Sequence, residues 1–265
     1  MHFNDLSGRM QFYESAACQN RFLPMLPIIA RLDGKGFHRL TQNLTRPYDE
    51  RLQDIFDDVS KHLIYYTNAR IAYTQSDEIT LIFYEEDSKR QIYFDGKVQK
   101  MVSVLASMCT LAFDTYTRIY LQEIEEEIAL FDCRCFQVPT LQEAVNCLIW
   151  REQDATRNSI QMAARSLYSH KACYGKNCSK LQDMLMAKNV NWNDYPDRFK
   201  RGAYFGKVEE YRQLAPKEIE SLPLLHEARQ NPELMVRRSA IKQLILPPIT
   251  KLENPTETLF GILSP

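Results

Sequence analysis

The stretch ARIAYTQSDEITLIFYEE, residues 69–86, constrains the fold more than any other. Two runs rich in β-branched and aromatic residues flank the polar tetrad Gln75 to Glu78. That pattern predicts a β-hairpin with the tetrad at or near its turn. Upstream, PIIARLD reads as a buried strand ending at Asp33, followed at once by Gly34, Lys35 and Gly36. If this strand and the hairpin are neighbours in one sheet, Asp33 and Asp77 meet at its edge.

The remaining pattern surrounds such a sheet with helices. Residues 49–67 place Leu52, Ile55, Phe56, Val59 and Leu63 at helical spacing, with Pro47 just ahead. Tyr93 to about Tyr120 predicts a second helix, with Phe94, Met101, Leu105, Met108 and Ala112 as its apolar stripe and Lys97 and Lys100 elsewhere on its surface. IALFDCRCFQV is a strand candidate, and TLQEAVNCLIWREQDATRNSIQMAARSLYS is one long helix or two. A short helix KLQDMLMAKN, a turn-rich VNWNDYPDRF and a β-like KRGAYFGKVEEY follow. Prolines at 216, 223, 232, 247, 248, 255 and 265 break up the tail, which reads as irregular and helical in part at PELMVRRSAIKQLI. The order predicts an α+β fold, a palm-like antiparallel sheet flanked by helices. Residues 1–215 are the expected main domain, and 216–265 a helical or irregular C-terminal extension.

Charge and cysteine content narrow the function. A formal net charge of −1 gives no bulk field for a polyanion, so nucleic acid must be held by local patches. No run approaches the roughly 18–20 apolar residues of a membrane span. The first residues lack the layout of a signal peptide, so a cytoplasmic protein without membrane association is expected. Seven cysteines without a repeating spacing point to reduced thiols. HKACYGKNC brings His170, Cys173 and Cys178 close in sequence, but Cys133, Cys135 and Cys147 supply no clear second ligand pair, so ordinary core thiols are expected over zinc.

Two carboxylates with open coordination positions are what Mg²⁺ requires when it is shared with a triphosphate, and the Gly34 carbonyl offers a third oxygen. The loop GKGFH supplies backbone N–H groups, with Lys35 and His38 as further phosphate donors. Metal-held phosphates suit nucleotidyl transfer, in which one ion lowers the pKa of an attacking hydroxyl and the second clamps the leaving pyrophosphate. Asp and Gly are also common turn formers, and neither a Walker loop nor a GxGxxG spacing is present, so these residues alone leave a plain turn open.

RLDGKGFHRLT, YTQSDEITLIF, FDCRCF, WREQDATRNS and NWNDYPDRFKRG occur in this order between about residues 25 and 210. Together they resemble the tRNA(His) guanylyltransferase superfamily, including its bacterial and phage-type guanylyltransferase-like members. The resemblance implies a palm-like domain that adds nucleotides to the 5′ end of a tRNA in the 3′-to-5′ direction. It implies two Mg²⁺ ions per site, held by Asp33, Asp77 and the Gly34 backbone, with Glu78 as an adjoining, supporting acid. Lys35, Gly36, Phe37 and His38 fall on the nucleotide-contacting loop, Ser76 lies near the phosphates, and Arg46 stands at a basic position. Lys97 and Lys100 match triphosphate-binding cations, and Arg134 matches the basic residue of an FDGR motif whose glycine is Cys133 here.

After WREQD, dedicated tRNA(His) enzymes carry a HINNLYN-like stretch. Here the residues are TRNSIQM, with Thr156 replacing the histidine and Asn158 retained. The like-protein branch, which resembles a template-directed repair enzyme for 5′-truncated tRNAs, fits this departure better. The resemblance further implies GTP, ATP and other nucleoside triphosphates as substrates, tRNA as partner and a homotetrameric assembly. Arg198, Lys200 and Arg201 of RFKRG are candidate RNA contacts beside Arg134 and Asn158. Taken singly, such cations are ordinary solvated surface, and Trp150 and Trp192 ordinary core or interface aromatics. Alternatives are a dedicated tRNA(His) guanylyltransferase, a palm-type nucleotide cyclase and a non-catalytic RNA-binding protein.

Overall fold

The computed structural model describes residues 5–87, 89–124, 128–231 and 233–261. In chain order the elements are α1 (Leu6–Cys18), β1 (Ile28–Gly34), α2 (Phe37–Leu40), α3 (Glu50–Thr67), β2 (Ile71–Gln75), β3 (Glu78–Phe83), α4 (Val98–Tyr120) and β4 (Phe131–Gln137). Then come α5 (Leu141–Leu167), α6 (His170–Cys173), α7 (Cys178–Met186), α8 (Asp197–Arg201), β5 (Ala203–Arg212), α9 (Pro216–Ser221), α10 (Glu227–Gln230) and β6 (Val236–Leu244).

The strands form one six-stranded antiparallel sheet in the order β4-β1-β3-β2-β5-β6. Alternation along each strand divides its residues between two cores. Ile28, Ala30 and Leu32 of β1, with Ile79, Leu81 and Phe83 of β3, pack with α3 and α4. Ile29, Ile82, Ile71 and Tyr73 point the other way, toward Ala144, Val145 and Leu148 of α5. A third cluster joins Ile160, Ala163 and Ala164 of α5 to Leu181, Leu185 and Phe199.

Local chemistry sets the element ends. The Asp49 carboxylate accepts the Arg51 N–H at the start of α3, and Asn68 ends that helix in the left-handed region at φ 60°. Thr140 accepts the Glu143 N–H and starts α5, which runs unbroken. Gly202, at φ +81°, sits where an added Cβ would lie 2.5 Å from the Thr74 carbonyl oxygen, so the α8–β5 junction requires glycine.

Two segments differ from the sequence expectation. The helix expected from Tyr93 starts at Val98, because Phe94 and Asp95 turn the chain with φ of 49° and 54°. PELMVRRSAIKQLI, expected to be partly helical, instead yields β6, which pairs with β5 along the length of both strands; Pro232, its first residue, and Pro265 lie outside the described residues. The following tail packs against α5 with Ile249 and Leu259 fully buried, and the Ile249 N–H donates to Glu152 Oε1 at 3.0 Å.

Candidate active site

Register brings the predicted acids together. Ser76 and Asp77 form the two-residue turn between β2 and β3, with Ser76 in the left-handed region at φ 50°. Asp33 is paired across β1 with Glu78 on β3 and with Asp132 on β4. The Gly34 N–H donates to the Asp77 carbonyl at 3.0 Å, fastening the hairpin tip to the end of β1. Lys35 N–H donates to the Leu130 carbonyl at 2.8 Å, so the loop leaving β1 is anchored on its other side too. A Cβ on Gly34 would meet the Phe37 ring at 2.2 Å. That ring is packed among Phe56, Phe113 and Phe131 with centroids 5.3–5.8 Å away, so the glycine lets the aromatic pin the loop.

Two cavities meet at this turn. One, of about 280 Å³, is lined by Phe37, His38, Arg46, Tyr48, Leu52 and Phe199 among others, with Ser76 and Asp77 in its wall. The other, of about 370 Å³, is lined by Arg31, Asp33, Glu78, Trp150 and Arg151. Gln75, Ser76, Asp77 and Asn158 belong to both walls. Asn158, expected at an RNA surface, is therefore part of the partition between the cavities.

The charges in this region differ in how they are partnered. Glu78 is gripped by Arg151, whose Nε and Nη2 each donate to one carboxylate oxygen at 2.7 Å. Burial pushes the Glu78 carboxyl up, and Arg151 opposes that shift. Arg31 Nε lies 4.0 Å from the same carboxylate and has no hydrogen-bond partner although it is buried. Among the described residues Asp77 makes no ion pair with a cation, and burial, reinforced by the Asp33 charge, holds its carboxyl above the usual range. Arg134 Nη2 approaches Asp33 Oδ2 at 3.6 Å. Trp150 is 48% exposed, with the Arg151 and Arg31 guanidinium carbons 4.6 and 5.5 Å from its ring centroid.

Other sequence candidates stand elsewhere. Lys35 and Gly36 line a separate depression with Arg39 and Gln42. Lys97 precedes α4, and Lys100 lies over the Phe94 ring at 5.8 Å; neither lines the two cavities. Arg198 is bound to Asp57 at 2.7 Å and donates to the Thr74 carbonyl, which braces the end of β2. Lys200 is 8% exposed and donates to the Asn193 carbonyl at 2.7 Å, while Arg201 pairs with Asp197. RFKRG thus has intramolecular partners for each of its cations. Arg31, Trp150 and Arg151 were not site candidates from sequence. The available signal was an arginine inside the apolar run PIIARLD, where a buried charge demands a partner.

Asp33, Asp77 and the Gly34 carbonyl are a hard-oxygen set with adjoining space for water and phosphate oxygens, which suits Mg²⁺. Among the described residues no three His, Cys, Asp or Glu side chains converge as a metal cluster, so such an ion would take its remaining ligands from solvent or substrate.

The family model described as Thg1, tRNAHis guanylyltransferase, matches residues 7–139. A protein of Acanthamoeba polyphaga mimivirus is 31% identical over 214 residues, covering 72% of this chain and 73% of its own. The tRNA(His) guanylyltransferase of Kluyveromyces lactis is 24% identical over 74% of this chain and 89% of its own. A bacterial Thg1-like protein solved in complex with ATP superposes with a TM-score of 0.72 at 36% identity, over 76% of this chain and 88% of that one. One solved with GTP also gives 0.72, at 29% identity over 96% and 99% of the two chains. Sequence motifs, sheet topology and these similarities agree that the chain belongs to the tRNA(His) guanylyltransferase family of tRNA nucleotidyltransferases.

Proposed function

We propose that the protein repairs tRNA by template-directed 3′-to-5′ addition of nucleotides to the 5′ end. The observation that carries this reading is Asp77 in the wall shared by two cavities, with Asp33 beside it in the second, since addition to an RNA end needs two substrates held at one reacting phosphate. The ATP and GTP complexes of bacterial relatives support nucleoside triphosphates as substrates. Two Mg²⁺ ions held by Asp33, Asp77 and the Gly34 carbonyl would supply phosphate polarisation and a more acidic attacking hydroxyl.

The chain's own residues do the positioning. Tyr48, Leu52 and Phe199 offer apolar and aromatic surface for a nucleobase, while His38, Arg46 and Ser76 stand at the same cavity to orient phosphate. Arg31 and Arg151 give the second cavity positive charge for the phosphorylated RNA end, beside Asn158 and Trp150. Arg134 extends that charge over the sheet edge. Lys35, Gly36, Lys97 and Lys100, which line neither cavity, would meet a polyphosphate only where it extends beyond them, and Phe37 acts through its anchoring of the loop. Glu78 supports the site through Arg151. The 3′-hydroxyl of the incoming nucleotide attacks the 5′ α-phosphate of the RNA and expels pyrophosphate from a triphosphate end; a monophosphate end is first adenylylated by ATP with release of pyrophosphate, and the attack then expels AMP. No protein nucleophile is required.

Residues 1–215 carry the transfer and tRNA-binding elements, and in the extension from 216 to 265 β6 completes the sheet while Ile249 and Leu259 cover it. Arg198, Lys200 and Arg201 brace the α8 turn beneath the RNA. Thr156 in place of a histidine favours repair over dedicated tRNA(His) maturation; its hydroxyl bonds to the Glu152 carbonyl within α5. The enzyme works in the cytoplasm as a homotetramer on this reading.

The test is incubation with Mg²⁺, ATP, labelled GTP and 5′-truncated tRNA(His) or an unrelated tRNA, each with a varied templating base. Template-matched addition to both is expected. Addition confined to tRNA(His) without regard to template would favour the dedicated guanylyltransferase named among the relatives, and GTP turnover without RNA would favour a cyclase.

A further inference from the structure

Cys133 and Cys135 lie two residues apart on β4, facing the core formed with α3 and α4, and their Sγ atoms are 3.7 Å apart. Cys133 is 8% exposed, whereas Cys135 is partly exposed. β4 is the outer strand of the sheet, paired only with β1. Cys109 belongs to the same core but is fully buried, which pushes its thiol up and keeps it unreactive.

We propose that Cys133 and Cys135 are a reversible oxidation site, an intrastrand dithiol whose closure to a disulfide puckers β4 and moves Arg134 away from Asp33. A strand rises about 3.3–3.4 Å per residue, which sets the two Cα atoms roughly 6.7 Å apart. That is the upper end of the roughly 4.4–6.8 Å range a disulfide bridges, and the bond also needs its Cβ atoms within about 4.5 Å. Closure therefore requires the strand to shorten between the two cysteines. An outer strand can do so because half of its backbone groups are not committed to a neighbour. Arg134 is the residue between them, paired in register with Arg31 and 3.6 Å from the Asp33 carboxylate. Its Cα must move when the cysteines close.

The chemistry balances with a small disulfide such as glutathione disulfide as oxidant. Cys135 is the more accessible sulfur, and the hydrogen bond from Cys133 favours its thiolate. Cys135 attacks the oxidant and releases one glutathione thiolate. Cys133 then gives up its proton, attacks Cys135 Sγ and releases the second. Two protein thiols become one disulfide, two electrons pass to glutathione, and two glutathione thiols result.

The test oxidises the full chain with glutathione disulfide, blocks remaining thiols with iodoacetamide and maps the peptide spanning Phe131–Gln137. Loss of two titratable thiols and about 2 Da in that peptide is expected, reversed by dithiothreitol and absent in Cys133→Ser and Cys135→Ser. Amide hydrogen exchange along β4 and at its partners in β1 is expected to quicken about tenfold on oxidation. An unchanged thiol count, a disulfide between other cysteines, or a stable glutathione adduct on Cys135 would overturn the pair. A disulfide with unchanged exchange would overturn the puckering. The effect on activity rests on the proposed function: nucleotide addition falls severalfold on oxidation in the wild type and not in Cys135→Ser. If the reduced protein adds no nucleotide, that function fails while the mass and exchange results still decide the oxidation site.

Discussion

Two parts of the sheet are dense in charge and use it in opposite ways. Beyond Gly206, β5 loses its partner β2 and continues with β6 as a two-stranded ribbon. There Glu209 pairs with Arg237, Glu210 with Lys242 and Arg212, and Arg212 with Glu218 at 2.7 Å. Each of these acids has a cation inside the chain. At the other end, Asp77 has none among the described residues and Arg31 Nε is buried without a bond, although Arg151 and Glu78 are fully matched one position away. Exposed paired charge contributes little to stability and keeps the ribbon soluble. Partly buried unpaired charge costs stability, and a fold retains it where a ligand completes the set.

The most severe way to break this contrast is Asp77→Asn. Nucleotide addition should fall by about a thousandfold or more, as expected for loss of a charge that organises transferring phosphates. The apo protein should nonetheless be as stable as the wild type or more so at neutral pH. The sign follows from the raised pKa of Asp77: its protonated form is favoured by folding, so the stability it contributes is present at acid pH and is lost as pH rises through the folded pKa. Thermal melts from pH 4 to 8 check this, and Mg²⁺ with GTP should raise the melting temperature of the wild type and not of the variant. A variant that is destabilised and still active would erase the distinction between the two regions.

Next in size is Arg151→Ala, which removes both hydrogen bonds to the buried Glu78 carboxylate and leaves it only the Arg31 guanidinium at 4.0 Å, and should cost about 3 kcal/mol in urea unfolding. Adding Glu78→Gln to that variant should recover part of the loss. Gly202→Ala should cost about 1–3 kcal/mol, from its backbone conformation and the close Thr74 carbonyl. The smallest effect belongs to the ribbon: Glu209→Gln should move the melting temperature by about a degree or less and leave activity unchanged. A larger shift would mean that the ribbon's pairs are structural after all.

The sheet edge was legible in sequence because two strong local signals, the hairpin around QSDE and the strand ending at Asp33, need only be neighbours to define it. The ribbon was not. Val236, Ala240, Ile241 and Leu244 recur at helical spacing, and a strand no residue of which is fully buried has no apolar alternation to contradict that reading. The early start assigned to α4 has a similar cause, since the apolar pattern continues through Phe94 while its φ of 49° turns the chain. RFKRG resembled a basic face because the partners of Arg198, namely Asp57 and the Thr74 carbonyl, approach it only in three dimensions, although Asp197, which pairs with Arg201, stands next to it in sequence. Arg31 and Arg151 were hidden for the same reason: their relation to Glu78 joins β1, β3 and α5.

The partition built from Gln75, Ser76, Asp77 and Asn158 gives the two cavities a shared wall. A ligand that tightens or shifts this wall changes the free energy of binding next door, and thermodynamic reciprocity requires the second ligand to act on the first by the same factor. Bound anions on either side of Asp77 repel each other unless a cation lies between them. On the proposed function, a divalent cation held between them would reduce that antagonism.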